Sequence, residues 1–269
     1  MTAGSTGIDR IRRHLTLIGA ASLCQFKAPY FERRLQSRCR ARGLPNLDAY
    51  ADLLDRDPDE ATRLRSAIAL GVTSFFRNPT AWLALANLIP AESQVGSAEG
   101  RDYRTWSAAC ATGEEAWSLA LLCASLVHQG RLGPWHVDAT DLDPRNLTVA
   151  RQAEYPERCR VDIDAVVPGI VAGSPLGPCI VPTELKASVR FSVTDLTMPA
   201  SRGPYDLVLC RNVLMYFDAE AQRQVMNVVL DGLRPRGLLM LGQAELAGFD
   251  LLPRLELVDR RERIYRRMA

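Results

Sequence analysis

The chain has 269 residues, 47% of them hydrophobic and 24% charged, with a formal net charge of +2. That is enough apolar material for a core without metal or disulfide staples, and no apolar run reaches the ~18 residues that a membrane span requires. Seven cysteines without a CxxC pair and three scattered histidines offer no zinc-ligand spacing, so the thiols read as small core hydrophobes.

Near the start, Asp9, Arg10, Arg12, Arg13 and His14 interrupt the apolar positions, which is not the pattern of a secretory leader. A cytoplasmic protein is the expectation. Residues 8–43 read as helix, because Ile8, Ile11, Leu15 and Ile18, then Phe31, Leu35 and Cys39, recur at helical spacing. The intervening positions are basic: residues 1–44 hold nine Arg or Lys against two Asp or Glu. Such a bias predicts a basic face for an acidic partner, the alternative being a solvated helix surface. Gly43-Leu44-Pro45-Asn46 is a break, and Asp48 is a candidate cap for a helix through Leu54. Asp57-Pro58-Asp59-Glu60 starts another helix, with proline in the first turn and acids at the positive dipole end, and Gly71 ends it.

From Arg101 onward strands alternate with helices. Tyr103–Cys110 is a strand-like run closed by Ala111-Thr112-Gly113, and a helix follows from Glu114 to Val127. Trp135–Thr140 is a second strand ending at Asp141, with a helix from Pro144 to Ala153. Tyr205–Cys210, a helix from about Ala219 to Leu233, the strand Leu238–Gly242 and a last edge strand at Arg263–Arg266 complete the pattern. This alternation predicts an α/β fold with a Rossmann-like, doubly wound, mostly parallel sheet, preceded by a small all-α domain. The expected division is 1–72 for the basic helical domain, 73–100 for a linker and first helix, and 101–269 for the α/β domain. A Pro- and Gly-rich insert at about 155–194 interrupts the last.

Four constellations carry chemistry. In Trp106–Glu115 a strand, a small-residue turn and a helix start place Glu114 and Glu115 where a doubly wound sheet binds ligands. The turn is not GxGxxG, and two acids would repel a pyrophosphate, so a cationic or hydroxyl-rich ligand fits better, unless the acids only stabilise the helix dipole. In Ala139–Asp143, Asp141 stands at the end of the second strand, where such sites hold a ribose, and Asp143 caps the next helix. In Tyr205–Phe217 a buried strand ends in Arg211-Asn212, and the planar fork of an arginine matches a carboxylate. In Thr73–Arg77 a Phe pair precedes an arginine able to fold over a ligand.

TSFFR, WSAACATGEE, ATDLD and DLVLCRNVLMYFD, in this order, together resemble the chemotaxis-receptor glutamate methyltransferase family (CheR). Lys27-Ala-Pro-Tyr30-Phe31-Glu-Arg33-Arg34-Leu35, with Arg38 and Tyr50, is similar to that family's basic helical domain. The resemblance implies an S-adenosylmethionine site, with S-adenosylhomocysteine as product. It places Thr73, Arg77, Glu114, Asp141, Asp195, Leu196, Arg211 and Asn212 around that cofactor. Asp141 would hold the ribose, and Asp195-Leu196 would flank the adenine. Arg211 or Tyr216 would orient the accepting carboxylate. Arg33, Arg34, Arg38 and Arg40 would dock on acidic methylation helices of a chemotaxis-type receptor. A monomer is expected, with no metal, no nucleic acid and no membrane insertion. Three features depart from the family pattern: Gly71 where relatives tend to carry Asn, Asp195 where Asn is common, and Gly242-Gln243-Ala244-Glu245 in place of Gly-His-Ser-Glu. A non-catalytic cofactor- or partner-binding module on the same fold is the alternative. A nucleotide-dependent oxidoreductase is disfavoured by the missing glycine motif. A nucleic-acid methyltransferase would need stacking aromatics, for which Tyr216 and Phe217 are the candidates.

Overall fold

The computed structural model describes residues 6–69, 71–98, 100–171, 177–199, 202–248 and 250–268. The chain divides into two compact units. One comprises the described residues up to 70 together with Met215–Gln224; the other comprises Gly71–Leu214 and the described residues from Val225 on.

The first unit contains α1 (Gly7–Leu17), α2 (Ala28–Ala41), α3 (Leu47–Arg56) and α4 (Pro58–Ile68). The single helix expected over 8–43 is thus two helices. Gly19 adopts a left-handed φ of 71°, a short 3-10 turn follows at Ala21–Gln25, and Pro29 sits in the first turn of α2, where its missing N–H costs nothing. Ile11, Leu15, Phe31, Leu35, Tyr50, Leu54 and Leu64 face inward and are buried. The caps follow local chemistry. Asp57 accepts from the Asp59 N–H and starts α4 as read, but Asn46, not Asp48, caps α3 by accepting from the Ala49 N–H at 2.9 Å.

The second unit is built on a seven-stranded sheet. Its strands, in spatial order, are β5 (Val189–Val193), β2 (Trp135–Asp141), β1 (Tyr103–Ala108), β6 (Tyr205–Cys210), β7 (Leu233–Leu241), β9 (Ile264–Arg267) and β8 (Leu255–Asp259). β9 runs opposite to the other six strands and pairs antiparallel with both β7 and β8. The helices of this unit are α5 (Pro79–Ala98), α6 (Glu114–His128), α7 (Pro144–Gln152), α8 (Cys159–Asp164) and the part of α9 (Ala219–Gly232) from Val225 onward. The strands of the parallel core are apolar and buried, as a sheet covered on both faces requires. After β1 the chain builds outward through β2 to β5, then returns to β6 on the other side of β1. The topological switch point therefore lies between β1 and β6.

Two strands of the seven-stranded sheet, β5 and β8, escaped the sequence pattern. β5 falls inside the stretch read as an insert, so the extra piece ends before Val189. It consists of β3 (Glu154–Tyr155) paired with β4 (Cys179–Ile180), α8 and a 3-10 turn. The strand at 263–266 is not the edge: β9 lies between β7 and β8, and β8 is outermost.

Candidate functional site

Five strand ends meet at the carboxyl edge of the sheet, and four of them deliver expected site residues. β1 leads into the turn before Glu114, β2 ends at Asp141, β5 precedes Asp195 and Leu196, β6 precedes Arg211 and Asn212, and β7 leads to Gly242. The turn after β1 is tightly wound, with left-handed φ values of 64° at Ala109, 49° at Ala111 and 98° at Gly113. For a non-glycine residue such a conformation costs on the order of 1–3 kcal/mol and persists only where surroundings impose it. Asp141 imposes it here: its Oδ2 accepts from the Ala111 N–H at 2.9 Å. A Cβ on Gly113 would stand 2.6 Å from the Ala150 Cβ, so that glycine serves the packing of α6 on α7.

Asp141 is 6% exposed. Its Oδ1 accepts from the Asp143 N–H at 2.9 Å and from Asn146 Nδ2 at 3.1 Å. Burial pushes its carboxyl above the ordinary 3.8, against the pull of these donors. Two carboxylate oxygens offer about four acceptor positions, so three donors leave room for about one more. Asp143 caps α7 by accepting from the Arg145 N–H at 3.0 Å, as read. Beyond β5, Asp195 Oδ1 accepts from the backbone and hydroxyl of Thr197 at 2.9 and 2.7 Å, beside the buried Leu196.

The two glutamates that open α6 part company. Glu114 is half-buried and accepts from the Thr112 hydroxyl at 2.7 Å. Glu115 turns inward. It is buried, accepts from Ser107 Oγ at 2.8 Å, and stands 3.4 Å from Arg211 Nη1.

Arg211 has a side chain 2% exposed. Its Nη2 donates to the Arg77 carbonyl at 2.7 Å and to Asn78 Oδ1 at 3.1 Å, and its guanidinium lies 5.7 Å from the centre of the Trp82 ring. Both terminal nitrogens are thus engaged by the chain itself, while Nε is buried with no partner among the described residues. Arg77, in contrast, is exposed, and its guanidinium forms no ion pair among the described residues. Thr73 is half-buried on the same segment.

Glu245 was not singled out by sequence. It is 4% exposed, and its Oε2 accepts from the Asn212 and Gly242 N–H groups, both at 2.8 Å. This carboxylate fixes Asn212 in its left-handed conformation, φ 59°. A Cβ on Gly242 would come within 2.6 Å of Glu245 Oε2 and 2.9 Å of the Asn212 nitrogen, so only glycine fits the cradle. The available signal was an acid three residues beyond a glycine at a strand end.

Tyr216 belongs to the first unit. Its carbonyl accepts from the Lys27 N–H at 2.8 Å, and its ring lies 4.9 Å from Tyr30 and 6.3 Å from Phe26. On α2, Arg33 and Arg34 lie over the Tyr30 ring at 5.5 and 5.4 Å, and Arg40 is exposed. Arg38 departs from the expected docking face. It grips the fully buried Glu60 through Nε at 2.7 Å and Nη2 at 2.9 Å, so it holds the domain together.

Among the described residues no group of three or more His, Cys, Asp or Glu side chains could hold a metal, and no helix is long and apolar enough to cross a membrane. The edge instead suits a ligand with hydroxyls for Asp141, a positive group for Glu114, an acceptor for Arg211 Nε and a flat aromatic ring beside Leu196. S-adenosylmethionine has all four.

Comparison with known proteins agrees. The family model described as the SAM-binding domain of CheR methyltransferase matches residues 71–254, and the model of the CheR all-alpha domain matches residues 9–69. An uncharacterised 104.1 kDa protein of Rhodobacter capsulatus is 31% identical over 239 residues, 88% of this chain and 25% of that protein. The probable biofilm formation methyltransferase WspC of Pseudomonas putida is 34% identical over 226 residues, 81% of this chain and 51% of that one. Chemotaxis protein methyltransferase 2 of Pseudomonas aeruginosa is 31% identical over 244 residues, 88% and 85% of the two chains. The chain thus spans a quarter and about half of the first two relatives and most of the third.

Proposed function

Because the chain belongs to the CheR methyltransferase family, we propose that it transfers a methyl group from S-adenosylmethionine to glutamate side chains of a chemotaxis-type receptor, leaving a glutamate methyl ester and S-adenosylhomocysteine. One observation carries the reading. A buried Asp141 carboxylate with an acceptor position to spare and an exposed Arg77 with no ion pair among the described residues belong to the same unit as Glu114 and Leu196.

Bound S-adenosylmethionine supplies a methyl carbon activated by a sulfonium. Asp141 takes a ribose hydroxyl on its remaining acceptor position, and Glu114 faces the positive end. A glutamate is already ionised at neutral pH, with an ordinary pKa near 4.3, so no strong general base is needed. What the chain must do is align a carboxylate oxygen with the methyl carbon, and such positioning is worth roughly 7–11 kcal/mol. Of the two arginines, Arg77 is the one with donors to spare for that carboxylate, and Arg211 holds Arg77's backbone. Tyr216, expected beside Arg211 in this role, is better assigned to the aromatic group it forms with Tyr30 and Phe26, a surface for the receptor helix. Thr73, Asp195 and Asn212 complete the cofactor's surroundings.

Docking is assigned to Arg33, Arg34 and Arg40, with Arg38 withdrawn to Glu60. The test is the salt dependence of methyl transfer to a receptor cytoplasmic fragment. Between about 0.05 and about 0.5 M salt, transfer should fall steeply while S-adenosylhomocysteine affinity stays nearly level, because the screening length of exposed charges, ~10 Å at about 0.1 M, shortens as salt rises. Arg33→Glu combined with Arg34→Glu should flatten the salt profile by lowering its low-salt end. Equal salt responses of transfer and cofactor binding would remove the docking face.

A further inference from the structure

Glu115 is a carboxylate that the proposed reaction does not use. It sits at the second position of α6, buried, with one oxygen held by Ser107 at 2.8 Å and the other facing Arg211 at 3.4 Å. From Arg211 the connections continue outward to the Arg77 carbonyl and Asn78 Oδ1, and from Asn78 Nδ2 to Gln243 Oε1 at 3.1 Å. Gln243 Nε2 in turn donates to Glu262 at 3.2 Å. A continuous polar chain therefore joins β1, α6, the end of β6, the Thr73–Asn78 segment and the loop after β7. Each link is a side chain meeting a group distant in sequence.

As a source of stability the ion pair is poor. Burial pushes the Glu115 carboxyl above its ordinary value and the Arg211 guanidinium below its own, so for each partner desolvation outweighs the attraction of the other. A buried pair of this kind is weak evidence for stability and is retained for conformational specificity in some proteins. Here the specificity has an address. Among the described residues the one backbone carbonyl that accepts from Arg211 is that of Arg77, the residue whose exposed guanidinium is proposed to meet the substrate.

We infer that Glu115 is a positioning residue: with Ser107 it aims Arg211, and through Arg211 it holds the Thr73–Asn78 segment, and so the Arg77 side chain, at the reacting carboxylate. Glu115 touches neither cofactor nor substrate. The Thr73–Asn78 segment has other anchors, which bear on its middle: Phe75 and Phe76 are buried, the Phe76 N–H donates to Ser118 Oγ at 2.8 Å, and Trp82 Nε1 shares the Arg77 carbonyl with Arg211 at 3.1 Å. Gln243, which departs from the family's usual histidine, extends the same clamp by holding Asn78. The inference rests on the proposed function for its catalytic meaning, but the clamp itself can be measured without cofactor.

The experiment is hydrogen exchange of the full-length, cofactor-free protein and its Glu115→Gln variant, followed by titration with S-adenosylhomocysteine and methyl-transfer kinetics. Glu115→Gln keeps the shape and removes the charge, and Glu245 remains near Arg211 as a second carboxylate. Peptides spanning Thr73–Trp82 should exchange faster, with protection elsewhere in the sheet unchanged. The kcat should fall by about 10²-fold, as a displacement of about 1 Å at a reacting group can cause, with the receptor KM held within about two-fold. A purely structural role would not split kcat from KM in this way. Unchanged exchange over Thr73–Trp82, or unchanged kcat, would overturn the clamp. Should Glu115→Gln unfold, Ser107→Ala decides on the same two readouts, since it frees one Glu115 oxygen and leaves the pair. Local loosening with no S-adenosylhomocysteine binding by the wild-type protein would remove the proposed function and leave the clamp standing.

Discussion

Replacing Glu60 by alanine is expected to destabilise the all-α unit by about 3–5 kcal/mol, the cost of breaking a buried ion pair from one side. Glu60 is fully buried in the first turn of α4, and four side chains converge on it. Arg38 binds both oxygens at 2.7 and 2.9 Å, the Tyr50 hydroxyl donates at 2.8 Å, and Arg42 and Arg63 stand at 3.7 and 3.6 Å. Without the carboxylate, Arg38 keeps a partly buried charge with nothing to accept its donors, and the Tyr50 hydroxyl is orphaned. Such a loss is a large part of the ~5–15 kcal/mol that separates a folded domain from its unfolded chain.

The pH dependence follows with a definite sign. Burial pushes the Glu60 carboxyl up, but the Arg38 and Tyr50 hydrogen bonds bring it to a net value below the ordinary 4.5. A carboxylate depressed in the folded state contributes stability at neutral pH and loses it as pH falls below 4.5 through the folded value. Wild type and Glu60→Ala should therefore differ at pH 7 and converge in strong acid. All four tryptophans, at positions 82, 106, 117 and 135, lie in the second unit. Hydrogen exchange of peptides from α2 to α4 is the specific readout, and tryptophan emission is the internal control. A loss below about 1 kcal/mol, the range of exposed pairs, would reduce the Glu60 cluster to a surface feature.

Asp141→Asn is expected to weaken S-adenosylhomocysteine binding by about 10–100-fold, since a hydrogen bond to a charged group is worth about 1.5–3 kcal/mol. The substitution keeps the shape but does two kinds of damage. It places an amide donor against one of the Ala111 and Asp143 N–H groups, which donate to different oxygens of the present carboxylate at 2.9 Å each. It also removes the acceptor assigned to the ribose. Because burial raises the Asp141 carboxyl above 3.8, wild-type affinity should begin to fall in acid above that pH as the carboxylate protonates. The affinity of the Asn variant should be flat over the same range. Calorimetric titration measures both. Wild-type affinity in the variant would take the ribose away from Asp141.

Strands β1, β2, β6 and β7 were legible because short motifs encode them locally. ATDLD fixes a strand end and a cap, and Asp57-Pro58 fixes a helix start. What escaped depends on partners far away in the chain. Nothing near Glu115 says that it turns inward while Glu114 does not; Arg211, ninety-six residues on, decides it. Arg38 looks like one more surface arginine until Glu60, twenty-two residues later, is seen to be buried beneath it. The spacing of Glu245 from Gly242 signals their turn, but its bond to the Asn212 backbone, thirty-three residues away, has no local sign. β5 and β8 are short, half-exposed edge strands whose mixed composition gives neither a buried run nor a clean alternation. The long helix failed at Gly19, where apolar spacing continued across a backbone that does not. Tyr216, within the span read as one α/β domain, groups with the helical unit, which no linear division could express.

The account stands most directly on the chemistry of the product. The protein should be incubated with methyl-labelled S-adenosylmethionine and the cytoplasmic fragment of a chemotaxis-type receptor, and the labelled fragment then treated with mild alkali. Label that enters the fragment and leaves as methanol identifies a glutamate methyl ester, the result predicted here. Alkali-stable label would place the methyl on nitrogen, and no label from a folded protein that binds S-adenosylhomocysteine would make it a non-catalytic cofactor-binding module. Either of those outcomes contradicts the proposed transfer to glutamate.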